Sequence, residues 1–246
     1  GSTSLTIRSG GAVAGSPSAQ INVSNSVLNT AAAAAAGLTT AAVCVATGGC
    51  DGTPEDNKNS NCSLGTGVGY QVPGALDDAG RSTGMFACVT KSSIRPSGSG
   101  KVSEAARDAL SGYREAQTYA KAAGFNAKTS INACHLIADT LGGSGSDVRN
   151  LGTCWRGVNT HDRTAGSLGR NNMRVMEDEV KRATEKGQSV AYTVIPQYRT
   201  DNSKVPYRFL LTARGYYNSG AAGLSDTMTV YNTYGPSGVN LGDVVN

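Results

Sequence analysis

Cys134-His135-Leu136-Ile137-Ala138, followed by Leu141-Gly142-Gly143-Ser144-Gly145, Asn150-Leu151, Cys154 and Asn159, is the stretch on which the reading of this 246-residue chain turns. Residues 131–138 read as a strand that enters a glycine-rich loop. The strand carries one of only two histidines, and two asparagines nine residues apart follow it. Side chains alternate faces along a strand, so Cys134 and His135 point apart. That opposes a shared zinc ion and opposes Cys134 as a nucleophile activated by its neighbour. The loop is no phosphate cradle of the nucleotide-hydrolase kind, because no Gly-Lys-Ser follows it.

Outward from this stretch, six cysteines and no C-x-x-C pair suggest three disulfides in an exported protein, although fifteen pairings exist. Cys134 with Cys154 would staple the two ends of the histidine loop. Cys44 with Cys50 would close a small loop, leaving Cys62 with Cys88. No signal peptide is visible in a chain that begins Gly-Ser-Thr-Ser, as expected of a mature or recombinant fragment. The alanine-rich run at 31–46 is interrupted by Gly37, Thr39 and Thr40, too weakly apolar to span a bilayer and better read as a packed helix. The net charge of +4 is uneven: residues 1–75 hold two basic and three acidic side chains, which leaves +5 for the rest. This is compatible with a polyanionic partner and does not require one.

Residues 1–70 are rich in Ser, Ala, Asn, Gly and Thr and carry no visible chemistry, so they read as a low-complexity accessory region, with the working domain over 71–246. Within it, 85–90 reads as a strand, and Ser103 caps a helix running to about Gly124 with Leu110, Tyr113, Ala116 and Ala120 on one face. Asn171 or Asn172 caps a second helix to about Lys186, with Met173, Met176, Val180 and Ala183 at helical spacing and Gly187 as the stop. Strands are expected over 190–195, 207–213 and 228–231. With no repeat and no sustained βαβ rhythm, the class is α+β with a central antiparallel sheet and flanking helices.

A histidine exchanges protons near neutral pH, and an asparagine carbonyl can hold a hard divalent cation that keeps most of its waters. His135, Asn150-Leu151 and Asn159, in that order and spacing, resemble the DNA/RNA non-specific endonuclease family, the ββα-metal or His-Me finger nucleases. Met173-Arg174, Glu177-Asp178, Val180-Lys181, the strand at 190–195 and Pro196 extend the resemblance, which covers roughly 70–235 and is strongest over 131–200. It implies a metal-dependent nuclease that cuts DNA, and RNA in some members, with little base preference. By resemblance His135 is the general base and Asn159 binds Mg2+, for which Mn2+ can substitute. Asn150 would orient the histidine loop or a metal-bound water, and Glu177 would hold the metal's water shell. Lys181 would grip phosphate. Nucleic acid is the implied partner through its phosphate backbone, with an immunity or inhibitor protein expected if the chain serves as an antibacterial toxin.

Two departures from the family pattern stand out. Where many members have Arg-Gly before the histidine, this chain has Ala133-Cys134, so phosphate must be gripped by others among Arg81, Arg149, Arg156 and Arg174. The gap from Asn159 to Glu177 is also long, which makes Asn171 or Asn172 a rival metal ligand. The second histidine, His161, is a rival base in a polar string. Two further readings stay open: a binding module without catalysis, and a zinc site built from Cys134, Cys154, His135 and His161.

Overall fold

The computed structural model describes Cys62 and residues 69–98, 100–161, 172–235 and 237–245. The expected helix within 26–46 and the Cys44–Cys50 pair lie outside the described residues. The strands are β1 (Tyr70–Pro73), β2 (Met85–Val89), β3 (Ile131–His135), β4 (Leu151–Trp155), β5 (Gln188–Gln197), β6 (Arg208–Tyr217), β7 (Ala222–Tyr231), β8 (Thr233–Tyr234) and β9 (Val239–Asn240). The α-helices are α1 (Glu104–Ala109), α2 (Tyr113–Ala122), α3 (Ala127–Ser130), α4 (Met173–Glu185) and α5 (Leu241–Val244). The class is α+β, as the sequence indicates.

Five strands form the antiparallel sheet in the order β1-β2-β5-β6-β7. Alternation puts Met85, Ala87 and Val89 on one face with Val190, Tyr192 and Val194, and with Phe209, Leu211 and Ala213. All nine are buried, because α4 and the β3–β4 hairpin cover this face. The opposite face holds Phe86 and Cys88, packed with Tyr70, Val72 and Cys62, and a disulfide joins Cys62 to Cys88.

Helix α4 forms for reasons visible in its sequence. Met173, Met176, Val180 and Ala183 recur at helical spacing and are all buried, and Gly187 ends the run at φ +84°. Asn172 stands at its N-cap position.

One expected helix is in fact two. Ser103 does cap α1, its hydroxyl accepting from the Ala106 N–H at 3.1 Å. The chain then turns extended at Leu110 and left-handed at Gly112, φ +72°. A side chain at Gly112 would collide with Val205, and the neighbouring Ser111 carbonyl accepts a 2.8 Å bond from the Thr153 hydroxyl. Tertiary contacts thus divide a run whose apolar spacing is helical throughout. Leu110, Ala116 and Ala120 are buried even so.

The β3–β4 hairpin lies on the sheet with Gly152 over Phe209, where an added Cβ would stand 3.0 Å from the ring. A disulfide joins Cys134 to Cys154 across the hairpin, both fully buried. Asn232, also fully buried, accepts from the Trp155 N–H at 3.0 Å and donates to the carbonyls of Thr153 at 3.1 Å and Pro206 at 2.8 Å. It ties the outer edge of β4 to the segment after β7.

Candidate active site

His135 closes β3, opposite Leu151. The residue is 9% exposed, and its Nε2 is buried with no hydrogen-bond partner. Burial holds its proton affinity below the ordinary histidine value, and the negative charge of Asp139 partly opposes that. A neutral imidazole has one bare nitrogen that can accept a proton. The strand reaches only to His135; expected strand residues 136–138 instead begin the loop, where the Leu136 N–H donates to the Asn150 carbonyl at 2.8 Å.

Asn150 is fully buried and its carboxamide is saturated. It accepts from the Ile137 N–H at 2.8 Å and donates to the carbonyls of Ile137 and Ser144, each at 3.0 Å. Gly143 is required for this: any side chain there would fall on the Ile137 carbonyl oxygen and press on the Asn150 amide. The glycine-rich loop is folded around a carboxamide, and Asn150 fixes the chain immediately after His135.

Glu177 lies on the sheet-facing side of α4, 4% exposed. Burial pushes its carboxyl up to about 8; Arg174 lowers it, while the charges of Asp178 and Asp139 raise it. Its Oε1 has no partner, and Oε2 lies 3.8 Å from Arg174 Nη1. Beneath it the fully buried Tyr192 keeps its hydroxyl protonated, through burial first and the Glu177 charge second. Asp139 is felt by both His135 and Glu177, so the hairpin end and the helix share one electrostatic site.

Asn159 ends the turn Arg156–Val158, half-buried, and its carboxamide makes no side-chain hydrogen bond among the described residues. Of its rivals, Asn172 is fully buried at the head of α4, and Asn171 lies outside the described residues.

The basic candidates differ sharply in availability. Arg81 is buried, paired with Asp77 at 2.6 Å, and donates to the carbonyls of Thr200 and Ser203. Its guanidinium is committed to the fold. Arg149 is exposed but bonded to Asp147 at 2.7 Å. Arg156 is exposed, and Lys181 is half-buried one turn beyond Glu177. Arg174 is partly exposed beside Glu177. His161 is exposed, its Nε2 3.2 Å from Asp178 Oδ2.

The donor set bears on which metal could be held. No cluster of three or more His, Cys, Asp or Glu side chains with metal-binding geometry exists among the described residues. Cys134 and Cys154 are joined to each other, which removes both from a zinc site. The partnerless Oε1 of buried Glu177 and the half-buried carboxamide of Asn159 are each an oxygen donor of the kind a hard cation takes while keeping its water shell.

Two residues at the site carry no signal in the sequence, Asp139 and Tyr192. Asp139 comes four residues after His135, just past the strand-like run, where nothing in the pattern marked it. Tyr192 read only as a strand residue.

Hairpin, helix and sheet together make the ββα arrangement of a nuclease. The match of residues 61–215 to the DNA/RNA non-specific endonuclease family is decisive, and the chain belongs to that family. Its fold is similar to that of a solved extracellular endonuclease, at 16% identity and a TM-score of 0.51, covering 73% of this chain and 86% of that one. NucA from Streptococcus agalactiae, solved with no metal bound, aligns at 20% identity and a TM-score of 0.49 over 72% of this chain and 76% of its own. No curated protein matches the sequence.

Proposed function

We propose that this nuclease is a Mg2+-dependent endonuclease that hydrolyses phosphodiester bonds of DNA without reading base sequence, with His135 as general base. The observation that carries this is the buried, partnerless Nε2 of His135 in the same electrostatic site as the buried carboxyl of Glu177. Burial keeps the ring neutral at physiological pH, so Nε2 is ready to take a proton from water attacking phosphorus. The bond from phosphorus to the 3′ oxygen then breaks, and the departing oxygen takes a proton from solvent water, leaving a 5′ phosphate on one fragment and a 3′ hydroxyl on the other.

Asn159 would hold the magnesium ion, with Glu177 fixing its water shell. When bound, the ion would offset negative charge on the phosphate and on the departing oxygen. Asn150 keeps the histidine loop in register. With alanine at 133 and Arg81 committed to the fold, the phosphate grip falls to Arg174, Arg156 and Lys181. Contacts of this kind read the backbone alone, so binding falls steeply with salt.

The two disulfides among the described residues suit an oxidising compartment, and secretion is part of the proposal. No described helix is long and apolar enough to cross a membrane.

The test is plasmid nicking in Mg2+. The wild-type chain should nick, chelator should stop it, and His135→Ala should lose about 10³-fold in rate while still binding duplex DNA. A fully active His135→Ala variant overturns the base assignment, and nicking that survives chelation overturns the metal.

A further inference from the structure

The carboxylate of Asp178 is shared between two cationic or cation-forming side chains. Its Oδ1 accepts from Arg174 Nε at 3.0 Å, and its Oδ2 lies 3.2 Å from His161 Nε2. Arg174 in turn places Nη1 3.8 Å from Glu177 Oε2. The chain His161–Asp178–Arg174–Glu177 therefore runs from the surface to the buried carboxyl of the active site. Its outer three members are partly exposed, with side-chain exposures of 53%, 38% and 35% in that order.

The arrangement is odd for its place. A carboxylate at the mouth of a site for a polyanion repels the substrate, and exposed ion pairs add little to stability. Neither field nor fold explains Asp178. Geometry does: an arginine on a helix has many rotamers, and a bond from Nε to a fixed carboxylate sets the plane of the guanidinium, with Nη1 toward Glu177 and Nη2 held by neither carboxylate. The Asp178 rotamer is fixed in turn because its second oxygen is held by the imidazole.

We propose that Asp178 is a positioning residue, braced by His161, that holds Arg174 as the clasp for a phosphate of the strand being cut. It takes over the task of the arginine absent at position 133. This rests on the nuclease reading above and adds to it the residue that organises substrate grip.

The sign of one measurement decides the matter. On field alone, removing the Asp178 charge tightens binding of a polyanion. On the positioning account, it weakens binding. In a His135→Ala background, which separates binding from cleavage, Asp178→Ala should weaken binding of a short DNA duplex about tenfold, the scale of one charge-assisted contact. His161→Ala should weaken it by about two- to threefold in the same direction. In the active protein with Mg2+, Asp178→Ala should raise KM by about tenfold with kcat within about twofold. The thermal midpoint should stay put.

Because Asp178 acts through Arg174, the double variant Arg174→Ala/Asp178→Ala should bind no more weakly than Arg174→Ala. Unchanged or tighter binding by Asp178→Ala, or additive losses in the double variant, overturns the proposal. If the wild-type chain itself fails to nick DNA, the nuclease reading has failed; if it nicks and Asp178→Ala binds normally, only the clasp has.

Discussion

Around the β3–β4 hairpin the buried carboxamides are satisfied: Asn150 in its loop and Asn232 against its outer edge each accept one hydrogen bond and donate two. A disulfide crosses between its strands. Where α4 meets β5, the balance is reversed. Glu177 Oε1 and the Tyr192 hydroxyl are buried without partners, and His135 Nε2, at the hairpin's end, joins them. An unpartnered buried polar atom costs roughly 1–3 kcal/mol. The contrast separates a scaffold built for stability from a site held in an unfavourable state that the scaffold can sustain.

The largest effect should come from the scaffold. Asn232→Ala leaves three buried backbone groups unpartnered and should cost roughly 3–4 kcal/mol, read from the denaturant midpoint. A loss under about 1 kcal/mol would show that the hairpin is not held there.

Next comes the staple. Cys134 and Cys154 enclose about twenty residues, and replacing both with alanine should cost roughly 3 kcal/mol against the oxidised parent. A smaller loss than that of a surface substitution would move the source of the hairpin's rigidity elsewhere.

The site should behave in the opposite sense. The Glu177 carboxyl is raised to about 8 in the fold, so the folded state favours its protonated form. Its contribution to stability is complete below the ordinary carboxylate range and is lost as pH rises through about 8. Glu177→Gln should therefore stabilise the metal-free protein by roughly 2 kcal/mol at pH 9, and by little at pH 4, while abolishing cleavage. Equal stability of the two proteins across that range would remove Glu177 from the strained set.

The smallest effect is a shift in proton affinity. Burial lowers that of His135 and Asp139 lifts it, so the acid limb of kcat/KM should have its midpoint below the ordinary histidine value. Asp139→Asn should move that limb lower still. A move to higher pH would mean that Asp139 does not face the ring. Stability follows the same direction. The depressed histidine favours the folded state above its unfolded value and destabilises it as pH falls below.

Sequence pattern captured what depends on periodicity and turns. The α4 helix, its apolar face, its Gly187 stop and the sheet strands after it were all legible, as was the pairing of Cys134 with Cys154. So was the Cys62–Cys88 pair. The division of the first helix was not, because Ser111 and Gly112 answer to Thr153 and Val205, far along the chain. At the site, the strand carrying His135 and the helix carrying Glu177 and Lys181 were legible. Which arginines are available was not: Arg81 looks like any other basic residue until Thr200 and Ser203 are seen to consume it. Asp139 escaped because its influence on His135 passes through space rather than along a motif.

Asn232 has one more consequence. A two-stranded ribbon leaves an outer row of amides and carbonyls open to any passing extended peptide. By meeting the Trp155 amide and the Thr153 carbonyl at once, a single side chain takes the place of a missing third strand. Hydrogen exchange at the Trp155 amide should therefore wait for global opening rather than local fraying. Through Pro206 the ribbon and the C-terminal third of the chain would come apart as one cooperative unit.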